Sequence, residues 1–226
     1  MKIHYTNLET CHMVTGLVVV IDVIRAFTNA AIAFSRGAQK IHPVGGVEEA
    51  LKLKRRIPNA LVCGEVGGIP PEGFDFGNSP TQTSELDLQG RVLIQRTSAG
   101  TQGIVRSVNA EAMLAASLVV ASATVKYIQA RLPESVTFVV TGQLQGEYGD
   151  EDLACAEYLE LLLRGSQPDP KPYINRVYKS RDALLCLANP AFPKSDLDHC
   201  TRIDAFDFAM PVKKENDLFA MHSVIP

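Results

Sequence analysis

The sequence predicts an α/β fold in which helices cover a mixed, mostly parallel β-sheet, with polar strand ends that converge on one crevice. Short apolar runs alternate along the chain with segments of helical periodicity, the pattern of βαβ units. Polar clusters follow several of the runs, and α/β sheets bind ligands beyond the carboxyl ends of their strands. The length of 226 residues fits one unit over residues 1–226, or two intimately packed lobes divided near residue 165.

The first half of the chain predicts strands and helices in regular alternation. Residues 17–21 are all apolar, as expected of a buried strand, and a helical pattern over 25–36 follows until Gly37 ends it. Further strands are predicted over 39–44, 60–63 and 91–95, with helices over 47–56 and 101–107.

The second half continues the alternation and then changes character. Strands are predicted over 112–116 and 136–141, with a helix over 118–131 between them and another helix beginning near residue 150. A proline-rich run over 166–172 breaks the pattern. A helix over 175–187 and a hairpin with strands at 206–212 and 218–224 follow. Residues 166–226 contain few apolar side chains, so we expect this segment to pack on the main body rather than fold independently.

Composition and charge exclude several classes of function. A net charge of −3 without a long basic run argues against nucleic acid as a partner. The longest apolar stretch, 17–21, is too short to cross a membrane. The five cysteines are odd in number and lack a Cys-x-x-Cys pair, which favours a reducing cytoplasm. The apolar segment 112–125 would suit a homodimer interface or, equally, the core.

Residues 64–80 form the most distinctive stretch, with five glycines and three prolines. This composition predicts an irregular loop, and its Glu65, Asn78 and Ser79 could position a small ligand or a hard cation. The alternative is a solvent loop that proline keeps open. Four apolar side chains are expected to hold the loop on a core: Val66, Ile69, Phe74 and Phe76.

Asp22 and Arg25 lie at a predicted strand-to-helix junction. The carboxylate could bind a hard cation, and the guanidinium could make paired hydrogen bonds to a phosphate or sulfonate. The first amides of the helix would add partial positive charge. A local ion pair between the two side chains, capping the helix, is the alternative.

A turn rich in hydroxyl groups follows the strand at 91–95. Thr97, Ser98, Gly100 and Thr101 offer hydroxyl and amide donors that would make an anion cradle. An ordinary helix N-cap would account for one of the hydroxyls but not for three beside a glycine.

Four acids fall within six residues near the start of the helix at 150. Glu147, Glu151 and Asp152 are candidates for cation binding, whereas Asp150 is equally explained as an acid at a helix N-terminus. Cys155 lies one turn into the helix, and a buried apolar role is favoured over catalysis because most buried cysteines are inert.

In combination, these stretches resemble the 2-phosphosulfolactate phosphatase family, also known as the ComB family. The resemblance covers nearly the whole chain, through motifs that occur in the family's order. They are Asp22-Val-Ile-Arg25-Ala26, Glu65-x-x-Gly-Gly to Asn78-Ser79-Pro80, Thr97-Ser98-x-Gly100-Thr101, Gly146-Glu147-x-x-x-Glu151-Asp152-x-x-Cys155-Ala156 and Asp196-Leu-Asp198-x-Cys200.

The resemblance implies a Mg²⁺-dependent phosphatase that converts (2R)-2-phospho-3-sulfolactate to 3-sulfolactate and phosphate, in a reaction of coenzyme M biosynthesis. It also implies a family-specific, ComB-like α/β fold with its active site in a cleft. One position departs from the family, because Ala99 stands where family members carry Asn. Two alternatives therefore stay open, namely a phosphatase acting on another small 2-hydroxy-acid phosphoester and a non-catalytic binder of an anionic metabolite.

The chemistry of the side chains, and not the resemblance, predicts the individual roles. Mg²⁺ is expected on some of five carboxylates, and one carboxylate would orient the attacking water. The predicted metal ligands are Asp22, Glu65, Glu147, Glu151 and Asp152. The predicted catalytic residues are Asp22, Arg25, Glu65 and Glu147. The predicted substrate-binding residues are Arg25, Asn78, Ser79, Thr97, Ser98, Gly100 and Thr101.

Overall fold

A computed structural model describes residues 1–142 and 149–226 of the chain. The strands are β1 (Lys2–Asn7), β2 (Leu17–Ile21), β3 (Lys40–Pro43), β4 (Leu61–Gly64), β5 (Val92–Arg96), β6 (Ala112–Ala116), β7 (Ser135–Val140), β8 (Met210–Glu215) and β9 (Leu218–Met221). The helices are α1 (Ala26–Ser35), α2 (Val47–Arg56), α3 (Pro80–Ser84), α4 (Gly100–Arg106), α5 (Ala121–Gln129), α6 (Asp150–Leu163), α7 (Lys171–Lys179), α8 (Arg181–Ala188) and α9 (Ser195–Cys200).

The strands form one mixed sheet in the order β1-β7-β2-β6-β8-β9-β3-β5-β4. The first four strands of this order pair in parallel, and so do the last three. The hairpin β8–β9 joins these two parallel groups by antiparallel pairing on both of its sides. The predicted α/β class and the mostly parallel sheet are therefore confirmed.

The central strand β2 explains why the sheet is covered on both faces. All five of its residues are buried, and successive side chains point to opposite faces. Val18 and Val20 join the apolar cluster that contains α1, while Val19 and Ile21 join the cluster under α5 and α6. A continuous apolar run is what a strand buried on both faces requires.

The two parallel groups meet where their strands end. β3 and β9 pair through a single residue pair, Ile41 with Met221. The amide of Gly100, after β5, reaches the carboxylate of Asp22, after β2, and so joins the two groups. The polar residues that follow strands of both groups thus come together, as the sequence predicts.

Several short elements differ from the sequence prediction. The helix expected over 175–187 is two helices, α7 and α8, because Ser180 interrupts it and caps α8 by accepting a hydrogen bond from the amide of Ala183. The edge strand β1 and the short helices α3 and α9 were not predicted. The sequence of β1 is largely polar and pairs with one neighbour, so it lacks the apolar run of a central strand.

The C-terminal segment is built into the body of the sheet. Residues after 165, expected to pack on the main body, supply α7, α8, α9 and the two strands between β6 and β3. Residues 112–116 of the apolar segment 112–125 form the buried strand β6, and most of the rest is core as well. This segment therefore belongs to the core, and a homodimer stays a prediction that does not depend on it.

Among the helices that the structure describes, none has the length and apolar character needed to cross a membrane.

Candidate active site

Asp22 directly follows β2, and backbone amides hold both of its carboxylate oxygens. The amide of Ala26, at the start of α1, donates to Oδ1 over 2.9 Å, and the amide of Gly100 donates to Oδ2 over 2.7 Å. The side chain is buried. The alternative of a local ion pair between Asp22 and Arg25 is wrong, because Arg25 pairs with Asp196 instead.

Asp152, in the first turn of α6, joins the ends of two neighbouring strands. Its Oδ1 accepts from the amide of Val23, after β2, over 2.7 Å. Its Oδ2 accepts from the amide of Gly142 over 2.9 Å and from the hydroxyl of Thr141 over 3.2 Å, both after β7. Asp152 therefore fixes the start of α6 against the strand ends that carry Asp22.

Four neighbouring acids have raised pKa values, and we call them the acidic cluster: Asp22, Glu151, Asp152 and Asp182. Burial, followed by the charge of Asp182, raises the pKa of Glu151 to about 7. Burial, with smaller contributions from the charges of Glu65 and Asp182, raises the pKa of Asp22 to about 7 despite its amide donors. Burial and its acidic neighbours also raise the pKa of Asp152, and burial raises that of Asp182.

Glu65 follows β4 and closes the predicted loop onto the turn after β5. Its Oε2 accepts from the amide of Gly68 over 2.7 Å and from the hydroxyl of Ser98 over 2.9 Å, while its Oε1 accepts from the amide of Ser98 over 2.6 Å. The charge of Glu65 helps to raise the pKa of Asp22, so the two carboxylates lie within electrostatic reach.

The rest of the loop is irregular, as predicted, but only part of it rests on the core. Phe74 and Phe76 are partly buried against apolar clusters. Val66 and Ile69 are 47 % and 61 % exposed, so the expectation that they hold the loop down is wrong. Asp75 forms an ion pair with Lys54, and its carboxylate accepts a hydrogen bond from the amide of Val62. The hydrogen bond to Val62 keeps this part of the loop against β4.

The turn over 97–101 donates to the carboxylates described above. The amide of Ser98 holds Glu65 and that of Gly100 holds Asp22, so the anions it binds in this structure are protein side chains. The amides of Thr97 and Thr101 each donate to the other residue's hydroxyl, over 2.8 and 3.0 Å. A role for the turn in binding a substrate anion stays a prediction.

Arg25 and the end of the loop form the positively charged side of the site. Arg25 follows a cis peptide bond, is 6 % exposed, and its Nη1 donates to Oδ2 of Asp196 over 2.8 Å. The hydroxyl of Ser79 donates to the other oxygen of Asp196 over 2.7 Å. Neighbouring Asn78 is buried, and its Oδ1 has no hydrogen-bond partner among the described residues, so it stays a candidate for binding substrate.

Three residues of the C-terminal segment belong to the site and were not assigned to it from the sequence: Asp182, Phe192 and Asp196. The thiol of Cys186, on α8, lies among them, since the positive charge of Arg25 and the negative charges of Asp182 and Asp196 all act on its pKa. Asp196 lies in a motif that carries the family resemblance, and this was the one signal available. The contacts of Asp196 span 115 to 171 residues of sequence, so no local pattern could indicate them.

Glu147, predicted as a catalytic residue and metal ligand, lies outside the described residues. Within residues 1–142 and 149–226, no three acidic, histidine or cysteine side chains are grouped so as to hold a metal ion. The metal ligands therefore stay predictions, with Asp22, Glu151 and Asp152 brought together by the fold and Glu65 beside Asp22.

Two cavities lie elsewhere in the molecule. Their volumes are about 190 Å³ and 350 Å³, and both border His42 on β3 and Leu218 at the β8–β9 hairpin. Neither is lined by members of the acidic cluster. The charges and hydrogen bonds therefore locate the candidate site, and the cavity volumes do not.

Cys155 is fully buried one turn into α6, as predicted for a small apolar residue. Burial raises its pKa well above the ordinary thiol value, and the charge of Asp152 acts in the same direction. A thiolate is therefore disfavoured, which supports the packing role over a catalytic one.

Replacing Gly100 with alanine is expected to destabilise the protein by about 1–3 kcal/mol, because the site has no space for a side chain. A Cβ at this position would lie 2.7 Å from Oδ2 of Asp22 and 2.9 Å from Cβ of Ala26. Denaturant unfolding of Gly100→Ala measures the effect. Gly45→Ala is the matched control, since its Cβ would meet no atom closer than 3.5 Å. Equal stability of the two variants would contradict the close packing described here.

Comparison with known families accounts for nearly the whole chain. Residues 3–215 match the family model described as 2-phosphosulpholactate phosphatase. A probable 2-phosphosulfolactate phosphatase of Bacillus subtilis (strain 168) is 30 % identical over 210 residues, which is 92 % of this chain and 91 % of that protein.

Other relatives carry the same name. The protein from Thermoplasma volcanium is 31 % identical over 84 % of this chain and 85 % of its own length. That from Carboxydothermus hydrogenoformans is 40 % identical over 65 % of this chain and 60 % of its own length. The resemblance inferred from the motifs is confirmed, and the chain belongs to the 2-phosphosulpholactate phosphatase family.

Proposed function

We propose that this protein hydrolyses (2R)-2-phospho-3-sulfolactate to 3-sulfolactate and phosphate, the coenzyme M-type reaction. Family membership supports phosphatase chemistry. The observation that carries the proposal is a group of four carboxylates from residues 22 to 182 of the chain, three of them buried and Asp182 partly buried, at the strand end that also carries Arg25. Phosphoryl transfer depends on positioning and on stabilising charge, and this arrangement supplies groups for both.

The donor set fits Mg²⁺. The cluster offers only oxygen ligands, and its pKa values are raised chiefly by burial, with smaller contributions from neighbouring negative charges. Mg²⁺ needs only one or two carboxylates and completes its coordination with water and substrate phosphate. We assign Asp22 and Glu151 as its first ligands, with Glu65, Glu147 and Asp152 as further candidates. When bound, the ion would offset charge on the phosphate oxygens.

Arg25 is proposed to hold the substrate's anionic groups. The substrate carries a phosphate, a sulfonate and a carboxylate, and a guanidinium forms paired hydrogen bonds with such groups. The side-chain NH2 group of Asn78, which is buried at the end of the loop, would donate to the substrate from the same side. Both residues would orient the phosphorus atom toward the acidic cluster.

A carboxylate of the cluster is proposed to act as the general base. Asp182 suits this role because burial raises its pKa and its charge is close to Glu151. It would take a proton from the attacking water as the new bond between that oxygen and phosphorus forms. The bond from phosphorus to the oxygen on C2 breaks, and that oxygen takes a proton from solvent water to become the hydroxyl of 3-sulfolactate, while Asp182 returns its proton to solvent.

Phosphate release with and without Mg²⁺ tests the proposed reaction. We expect turnover of (2R)-2-phospho-3-sulfolactate with Mg²⁺, and loss of at least about 100-fold in rate when EDTA removes the ion, because the charge it supplies acts in the transition state. Restoring Mg²⁺ should restore the rate. Full activity in EDTA would contradict the metal assignment, and no phosphate release in either condition would contradict the proposed substrate.

Two alternatives are distinguished in the same assay. A panel of other 2-hydroxy-acid phosphates, such as 2-phospholactate, tests for a different phosphoester. Ala99, which is at the N-cap of α4 beside Gly100, favours a non-catalytic binder because the family's Asn is missing there. Binding of 3-sulfolactate without turnover of any phosphoester would support that alternative. A homodimer and a cytoplasmic location stay predictions.

A further inference from the structure

We propose that Asp196 and Phe192 are positioning residues that hold the guanidinium of Arg25 in the orientation needed to bind an anion. The inference rests on the proposed function only in taking Arg25 as the anion-binding group. It assigns a role in the site to the segment 192–196, which is distant in sequence from every residue predicted to contact substrate.

Asp196 organises the positive side of the site from a fully buried position. Its Oδ2 accepts from Nη1 of Arg25 over 2.8 Å. Its Oδ1 accepts from the hydroxyl of Ser79 over 2.7 Å and from the amide of Thr81 over 2.9 Å. The fully buried carboxylate of Asp196 thus connects Arg25, which precedes α1, to the start of α3, close to Asn78. Charge-assisted hydrogen bonds of this kind fix geometry as well as adding stability.

Phe192 fixes the plane of the guanidinium. Its ring lies beneath Arg25, with 4.3 Å from Cζ of the arginine to the ring centroid. The ring also touches the loop, because a Cβ at Gly68 would lie only 2.6 Å from its Cζ atom. Gly68 is itself held by Glu65, so the ring is packed between the loop and the arginine.

These contacts use one nitrogen and one face of the guanidinium. Within residues 1–142 and 149–226, Nε and Nη2 of Arg25 donate no hydrogen bond. Arginine has five N–H donors in a planar fork, so a pair of donors is left for an anion in the site. Asp196 and Phe192 therefore set the direction of this pair without contacting substrate.

The competing explanation is that Asp196 serves only to neutralise a buried arginine. Replacing one partner of a buried pair is destabilising in either case, so loss of activity in a single variant would not separate the two explanations. Rescue of Arg25→Ala by added guanidinium separates the two explanations. If Asp196 and Phe192 position the guanidinium, the added ion needs both residues in order to bind where the arginine was.

The test starts from Arg25→Ala. We expect kcat/KM for the phosphoester to fall by about 100-fold and millimolar guanidinium to recover at least about tenfold, since an anion-stabilising donor is lost and then replaced. Arg25→Ala/Asp196→Asn should lose this rescue. Arg25→Ala/Asp198→Asn is the matched control and should keep it, since Asp198 is exposed on the same helix and contacts Tyr178.

A second variant addresses the ring. Arg25→Ala/Phe192→Leu removes the aromatic face with little change in volume and should require a higher guanidinium concentration for half-maximal rescue. Circular dichroism confirms folding of each variant. Equal rescue with and without Asp196, or no rescue of a folded Arg25→Ala, would overturn the inference.

The inference can be judged apart from the proposed reaction. Isothermal titration calorimetry with inorganic phosphate and the Mg²⁺-loaded protein measures anion binding at Arg25 without turnover. Arg25→Ala should weaken phosphate binding, and guanidinium should restore it only while Asp196 is present. If the wild-type protein hydrolyses no phosphoester but shows this pattern, the proposed reaction fails and the positioning role stands. If phosphate affinity is unaffected by Arg25→Ala, the positioning role fails.

Discussion

Asp22→Asn is expected to lower kcat/KM for phosphoester hydrolysis by about 1,000-fold, because it removes a charge placed where phosphate and cation would meet. The carboxylate lies between two backbone amides, of Ala26 and Gly100, that an asparagine cannot both satisfy. One amide keeps its partner through the asparagine oxygen. The other loses its acceptor, while the protein no longer carries a buried charge there.

Stability should therefore change little in this variant. The lost hydrogen bond and the removed buried charge act in opposite directions, and each contributes on the order of 1–3 kcal/mol. Asp207→Asn is the control for activity, since this residue is exposed and lies outside the acidic cluster. Steady-state kinetics and thermal unfolding of both variants check the prediction. A folded Asp22→Asn enzyme with full activity would show that the role assigned to Asp22 is wrong.

The second large effect is a fall in the melting temperature of the metal-free protein as pH rises from 5.5 to 8. The folded-state pKa of Asp22 and that of Glu151 are both about 7, above the ordinary values of 3.8 and 4.5. At a pH between the unfolded-state and the folded-state pKa values, the folded state binds more protons than the unfolded state. The contribution of these protons to the free energy of unfolding is complete below the unfolded-state pKa, and it is lost as pH rises through the folded-state pKa.

The expected size follows from the distance between pH 5.5 and the folded-state pKa of about 7. Roughly 1.5 pH units correspond to about 2 kcal/mol for one independent group, and interaction among neighbouring acids reduces the part assigned to each. For a chain of this size we expect a fall of about 5–10 °C. Differential scanning calorimetry in EDTA measures it, and added Mg²⁺ at pH 8 should raise the melting temperature again because it binds the ionised cluster.

Variants locate the source of this pH dependence. Glu151→Gln should flatten the curve, whereas Glu111→Gln, a change at an exposed site, should leave it unchanged. A melting temperature that rises steadily from pH 5.5 to 8 in EDTA would contradict the raised pKa values. A Glu151→Gln curve as steep as that of the wild type would place the effect on other residues.

The sequence predicted the regular parts of the fold well because local patterns determine them. The apolar run 17–21 and the helix after it are determined by burial and periodicity, which neighbouring residues reveal. The hairpin was predicted from the same kind of signal, although β8 and β9 begin and end at different residues. Its position inside the sheet was not predicted, because strand order depends on contacts between distant segments.

In the candidate site, too, the residues marked by local patterns were predicted and the contacts between distant segments were not. Asp22, Arg25 and Glu65 were selected because each follows an apolar run, and the structure confirms that position after β2 and β4. The partner of Arg25 was not predicted, since Asp196 is 171 residues away and a closer acid, Asp22, was available. Hydrogen bonds from backbone amides satisfy Asp22, which leaves the arginine to the distant carboxylate.

The late position of β8 and β9 in the chain has a consequence for biosynthesis. Until residues 210–221 leave the ribosome, β6 and β3 are open edges of two separate parallel sheets, and such edges pair readily with other chains. The nascent polypeptide cannot close its two halves together before β8 and β9 arrive. We expect closure of the sheet to be slow, with chaperones shielding the exposed edges in the interval.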